Sequence, residues 1–281
     1  MMKKGRLQLS PIGLGCSRIG SFGNDVPLAD VRRMLDRALE LGVTVLDTAD
    51  VYGQGDSERE IGRALKGRRD AAFVVTKVGK RFSRKMRALR MLKPILKPFL
   101  SRTQQSRRMV VSSRSSNMSH DFSPDYVVTA VQASLRRLRF ETIDALLLHS
   151  PPAQALASPQ LADALAGLKA AGQIRHFGIS CDDLEALRAA LAIPGVELLE
   201  LPLDVMDAAG PAGLSAEIAE RGIDVLAREV IRLQPDLEPA AAVARAAARA
   251  DTTCAIVGTT RTRHLEAAVA ATASSLASSP A

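Results

Sequence analysis

Asp47, Tyr52, Lys77 and His149 are the residues of this 281-residue chain whose types and order could act together on a carbonyl group. A phenol has a free pKa near ~10 and serves as an acid near neutrality only when its anion is stabilised. A neighbouring lysine ammonium supplies that stabilisation, and a buried carboxylate keeps the lysine charged and oriented. An imidazole on the opposite side can hold the carbonyl oxygen and stabilise the oxyanion that develops on it. Tyr52 as acid, Lys77 as its tuner, Asp47 as the partner of Lys77 and His149 as the carbonyl-orienting group therefore make a relay for adding hydride to C=O. Taken alone, Asp47 and Lys77 equally describe a structural ion pair; Tyr52 and His149 turn the reading to catalysis. The chain has two tyrosines, and the second, Tyr126, opens a helix after S-P-D and reads as packing. Asp50 reads as a turn acid and His176 as a core residue. The four histidines and three cysteines show no ligand spacing, so no metal site is expected.

These groups need elements that aim them at one place. Short apolar, β-branched runs at 11–16, 43–47, 72–77, 143–149, 174–180, 196–203, 223–228 and 253–257 read as strands. Segments of helical period at 28–41, 57–66, 124–139, 159–171, 182–191, 211–221, 238–249 and 261–271 read as helices. Near-continuous hydrophobic strands that alternate with helices imply a parallel sheet covered by helices. Eight repeats in this length favour a closed (β/α)8 TIM barrel, of class α/β, over an open sheet. No G-x-G-x-x-G follows the first strand, which argues against a dinucleotide-binding Rossmann domain. In such a barrel chemistry sits at the C-terminal strand ends, where Asp47, Lys77 and His149 close the second, third and fourth strands. A tight turn at Gly53 would return Tyr52 over the same mouth.

D-T-A-D-V-Y-G, V-V-T-K and L-L-L-H-S, in this order at the ends of successive strands, resemble the aldo/keto reductase superfamily. P-I-G-L-G in the first strand, S-L-R-R-L with I-D before His149, G-Q-I-R-H-F-G-I-S and I-V-G-T-T-R-T-R-H-L extend the resemblance over about 11–271. It implies reversible interconversion of a carbonyl and an alcohol with a nicotinamide cofactor, usually NADPH, bound extended without a Rossmann fold. On the cofactor side the resemblance places Ser180, Cys181 and Glu200 at the carboxamide, where the family commonly has Ser-Asn and Gln. A carboxylate at 200 accepts from the carboxamide NH2 but cannot donate to its carbonyl. Arg228 stands where an aromatic often stacks on the ring. Gly258 and Thr259 at the start of the last helix would meet phosphate, with Arg261, Arg263 and His264 nearby. His264 takes the place of an arginine for the adenosine 2′-phosphate, and Ala267 and Ala268 replace an adenine-gripping pair. NADP is favoured, with NAD as the alternative. An NAD-dependent sugar or polyol dehydrogenase, and a catalytically weakened cofactor-sensing or scaffold barrel, are the rival readings.

Composition bounds the rest. At 47% hydrophobic and 24% charged residues the chain is globular, and with nine aromatic residues its core must be aliphatic. The net charge of +8 has one source: residues 79–118 carry twelve Lys/Arg and no acid, which leaves the remainder acidic. The expected organisation is one domain over 1–281, a basic insertion at 79–123 after the third strand, and a flexible tail at 272–281. The insertion reads as a solvated loop, a lid for an anionic carbonyl substrate, or a membrane-surface element. The two Phe of residues 79–118, without Tyr or Trp, argue against nucleic acid. Cys16, Cys181 and Cys254 have no paired spacing and suit a reducing compartment. No signal-peptide core or membrane-spanning run is present, so a cytoplasmic protein is expected.

Overall fold

The computed structural model describes residues 7–20, 26–82 and 118–278. The strands are β1 (Ile12–Gly15), β2 (Val45–Asp47), β3 (Phe73–Val78), β4 (Lys80–Phe82), β5 (Met118–His120), β6 (Ile143–His149), β7 (Ile174–Ser180), β8 (Leu198–Pro202), β9 (Asp224–Arg228) and β10 (Cys254–Val257). Eight of them close a barrel in the order β1-β10-β9-β8-β7-β6-β3-β2, all neighbours parallel. The expected (β/α)8 barrel is what forms. β4 and β5 stand outside it as an antiparallel pair, with Lys80 opposite His120 and Phe82 opposite Met118. They are the described stem of the basic insertion; its residues 83–117, most of the segment expected as lid or membrane-surface element, lie outside the described residues.

The helices are α1 (Leu28–Glu40), α2 (Asp56–Ala64), α3 (Pro124–Leu138), α4 (Ala153–Leu156), α5 (Pro159–Ala170), α6 (Leu184–Leu191), α7 (Leu203–Ala209), α8 (Leu214–Glu220), α9 (Pro239–Ala248) and α10 (Thr262–Ser278). Their starts follow local rules. Asp183 caps α6 by accepting from the Ala186 N–H at 2.7 Å. Proline opens α3, α5 and α9, where its missing N–H costs nothing. In α1, Val31, Met34, Leu35 and Ala38 recur at helical spacing and are buried. Two expectations change. The tail expected to be flexible from 272 is helix through Ser278, because T-A-S-S-L-A-S continues the small-residue run without a breaker. The sixth barrel strand, expected over 196–203, forms over Leu198–Pro202, and Leu203 already opens α7. Among the described residues, no helix is long and apolar enough to cross a membrane.

Two buried layers share the strands. Val45, Val75, Leu147, Leu198, Leu226 and Ile256 belong to a cluster inside the barrel. Their chain neighbours Leu46, Val74, Leu146, Leu148, Leu199 and Val257 face the helices in a larger cluster. The two-residue period of a strand makes this division. It also means that one step further along each interior row come Asp47, Lys77, His149, Glu200, Arg228 and Gly258. The apolar interior thus floors a polar layer at the C-terminal ends.

The wall is closely packed at Gly178, where an added Cβ would lie 1.7 Å from the Leu198 carbonyl oxygen on the adjacent strand. Gly178→Ala should therefore force β7 and β8 apart and cost about 1–3 kcal/mol. Urea unfolding of the two proteins would measure it, and an unchanged midpoint would refute the tight approach.

Candidate active site

β2 and β3 bring Asp47 and Lys77 together. The Thr48 N–H donates to the Val75 carbonyl at 2.8 Å and the Asp50 N–H to the Lys77 carbonyl at 3.0 Å, so the chain leaving β2 stays on β3. Thr48 Oγ1 lies 2.7 Å from Ser57 Oγ, which donates to the Cys16 carbonyl at 3.1 Å. Glu58 anchors the same region from α2: one oxygen accepts from Thr76 Oγ1 at 2.7 Å and the other from Arg137 of α3. The 3-10 turn Tyr52–Gln54 then folds back over the mouth. Gly53 there has φ 58°, and a Cβ would lie 2.5 Å from the Ile19 carbonyl oxygen, so the turn that returns Tyr52 needs glycine.

The four sequence-derived residues converge. The Lys77 ammonium donates to Asp47 Oδ1 and, at 3.3 Å, to the Thr48 carbonyl. It sits 5.4 Å from the Tyr52 ring centroid, and the Tyr52 and His149 rings meet edge to face at 5.7 Å. Tyr52, His149, Asp47, Ser180, Glu200, Arg228 and Gly258 share one cavity of about 480 Å3 at the C-terminal end of the barrel.

Glu200, which the resemblance placed at a carboxamide, reaches Lys77: its Oε2 is 3.1 Å from the lysine nitrogen. Its Oε1 lies 4.0 Å from Arg228 Nε. Arg228 also donates to the Cys181 carbonyl at 3.0 Å, to Glu229 at 2.6 Å and to Asp182. Cys181 contributes that carbonyl, while its buried thiol is pushed up in pKa by desolvation. Thr259, Arg261, Arg263 and His264 follow Gly258 outside the cavity lining; Thr259 is buried and accepts from the Arg261 N–H at 3.1 Å, and the other three are exposed. Tyr126 does more than pack: its hydroxyl reaches the Lys80 carbonyl at 3.4 Å and Arg81 stacks on its ring at 4.7 Å. His176 holds Glu197 at 3.0 Å and stacks on Phe73, away from the cavity lining.

The sequence reading did not single out Lys80, Ser150 and Asp182 as site residues, though all line the cavity. Lys80 donates to Ser150 Oγ at 3.0 Å, and Ser150 Oγ to Asp182 Oδ1 at 3.1 Å. A signal was available in their positions just past Lys77, His149 and Ser180.

Burial dominates the electrostatics. It pushes Asp47 up to about 7 against the pull of Lys77. Lys77 itself is held charged, because Asp47 and Glu200 together overcome its desolvation. Burial raises the Tyr52 phenol, with Lys77 lowering it and Asp47 and Glu200 opposing, so the lysine does not prevail over desolvation. His149 is pushed well below its ordinary value by burial, then by Lys80, Lys77 and Arg228. The arrangement presents a protonated phenol, a charged lysine and a neutral imidazole. That set can donate a proton to an oxygen that the imidazole holds.

The residues also fit a dinucleotide. Ser180 and Glu200 offer a hydroxyl and a carboxylate to a carboxamide. Gly258 has open space where a Cβ would stand, beside the N-terminus of α10 with its exposed Arg261, Arg263 and His264.

Comparison with known proteins places the geometry. The model of the aldo/keto reductase family matches residues 11–233. An uncharacterized oxidoreductase of Bacillus subtilis is 30% identical over 174 residues, covering 62% of this chain and 45% of the relative. The chain spans about half the length of the curated relatives it matches. The holo form of an aldo-keto reductase from Bacillus halodurans superposes with a TM-score of 0.73 at 24% identity, over all of this chain and 91% of the other. An aldo-keto reductase from Klebsiella pneumoniae in complex with NADPH has a TM-score of 0.66 at 19% identity, over 97% of this chain and 90% of the other.

The His149 environment sets a pH dependence of stability. Its folded pKa lies below the ordinary 6.5, so below that pH the unfolded chain binds a proton that the folded one refuses. Stability then falls as pH drops through the unfolded value. Between about pH 7 and pH 5 the wild-type melting temperature should fall more steeply than that of His149→Gln. Parallel curves would show that His149 is not buried neutral.

Proposed function

The chain belongs to the aldo/keto reductase family, and on that premise we propose that it interconverts an aldehyde or ketone with the corresponding alcohol, using NADP. The observation that carries the reading is that Asp47, Tyr52 and His149 line one cavity, with buried Lys77 paired to Asp47 and 5.4 Å from the Tyr52 ring centroid. A bound reduced nicotinamide supplies the hydride. His149, neutral, donates an N–H to the carbonyl oxygen and orients it. Tyr52, kept protonated by burial, gives its proton to that oxygen as the alcohol forms. Lys77 lies close enough to stabilise the resulting phenolate, and Asp47 and Glu200 hold the lysine charged and in place. Ser180 and Glu200 would hold the carboxamide, Arg228 would lie against the ring, and Gly258, Thr259, Arg261, Arg263 and His264 would take the phosphates. Three buried thiols without a disulfide support a cytoplasmic setting.

Tyr52→Phe removes the proton donor while keeping the ring. Reduction of an aldehyde panel, followed as loss of NADPH absorbance, should slow by about 10²–10⁴-fold in kcat. Retained turnover would sink the proposed acid. Tight NADPH binding without turnover of any carbonyl by the wild type would favour the sensing or scaffold barrel.

Cofactor choice rests on the cations at α10. In fluorescence titration NADPH should bind more tightly than NADH, and Arg263→Gln with His264→Gln should narrow the gap. A preference for NADH would favour the sugar or polyol dehydrogenase reading.

A further inference from the structure

We propose that Lys80 forms an anion subsite beside the reacting carbonyl, and that the substrate carries a carboxylate or phosphate a few bonds from its aldehyde or ketone. This rests on the carbonyl chemistry proposed above for the same cavity.

The other cavity cations with assigned contacts are neutralised. Arg228 is paired with Asp182 and Glu229, and Arg232 with Glu229. Lys80 differs: among the described residues its ammonium meets the Ser150 hydroxyl at 3.0 Å and makes no ion pair. An ammonium has three N–H donors, so that bond leaves two. Asp182 is reached only through Ser150. Burial lowers the Lys80 pKa and outweighs the pull of Asp182 and Glu200, which raise it, while Arg228 and Lys77 push it further down. A partly buried ammonium with donors to spare gains from an anionic group that enters the cavity and supplies a direct partner.

The geometry also bears on how near the anion must be. Lys80 lines one cavity of about 480 Å3 with Tyr52 and His149, and its ammonium bonds to Ser150, the residue that follows His149. Anion and carbonyl must share that space, which suits a short acid-bearing carbonyl compound better than a long one.

The backbone at Lys80 is fixed as a subsite requires. Lys80 pairs with His120 across the β4–β5 stem, and its carbonyl accepts from Tyr126. The side chain is thus held at the root of the basic insertion, on the barrel side.

The test compares matched substrates: 4-oxobutanoate against butanal, and glyceraldehyde 3-phosphate against glyceraldehyde. The wild type should favour the anionic member of at least one pair, and the pair that shows it identifies carboxylate or phosphate. Lys80→Gln should raise KM for that anionic substrate about tenfold or more while leaving the neutral one and the NADPH dissociation constant unchanged. Lys80→Arg, which keeps the charge, should recover much of the loss. Equal effects on both members, no anionic preference in the wild type, or an equal loss of NADPH affinity would overturn the subsite. If no carbonyl is turned over, the proposed reaction has failed, and calorimetry still tests Lys80. The wild type should then bind 4-hydroxybutanoate or glycerol 3-phosphate better than 1-butanol or glycerol, and Lys80→Gln should lose that preference; its absence in the wild type would refute the subsite.

Discussion

A buried ammonium held between two carboxylates is the interaction on which the rest of the molecule depends. Lys77 is among the largest fully buried side chains of the described residues, and a lone cation there would be strongly disfavoured. Asp47 and Glu200 together compensate it. Asp47 belongs to a strand adjacent to β3, whereas Glu200 comes from β8, separated from β3 by β6 and β7 in the barrel order. The Lys77–Asp47 pair joins neighbouring strands, whereas the Lys77–Glu200 pair crosses the interior and exists only when the barrel has closed. Shape and charge are satisfied by the same event: the strand period that places Val75, Leu147 and Leu198 in the apolar interior also delivers Lys77, His149 and Glu200 two residues later.

The mouth above that floor is a polar chain contributed by several loops. Lys80, Ser150, Asp182, Arg228, Glu229 and Arg232 follow one another by hydrogen bond or ion pair. Each loop is held against a neighbour by a side chain of opposite polarity. Beneath them His149 is surrounded by cations and kept neutral, and Tyr52 is kept protonated by its surroundings. The site thus separates a layer that carries charge from two rings that stay uncharged, a division suited to moving one proton at a time.

The sequence made the parts of this arrangement that obey strand periodicity legible. Asp47, Lys77 and His149 end apolar runs, and the runs became strands within a residue or two of their expected limits. Tyr52 was readable because a glycine follows it and the turn needs one. What the sequence hid were relations between loops. Lys80 lay within a run of basic residues, and only its place just past Lys77 sets it apart; that the β4–β5 pairing carries it to the cavity is not written along the chain. Glu200 read as a contact for a ligand, because adjacency to Lys77 across two intervening strands has no signature along the chain. The balance at Tyr52 was also out of reach: a lysine nearby lowers a phenol, but how completely the site excludes water is a property of the closed barrel. Likewise, small residues past Ala271 look like a tail in composition, yet alanine-rich sequence extends a helix wherever no breaker intervenes.

The β4–β5 stem has a consequence for the elements on either side of it. It brings the two ends of the basic insertion side by side and fastens them, with Asp121 donating its N–H to the Gly79 carbonyl just below. The stem sets the separation at which the chain leaves β3 and enters α3, so those two elements are coupled through the clasp as well as through the barrel wall, and Lys80 stands on the barrel side of it.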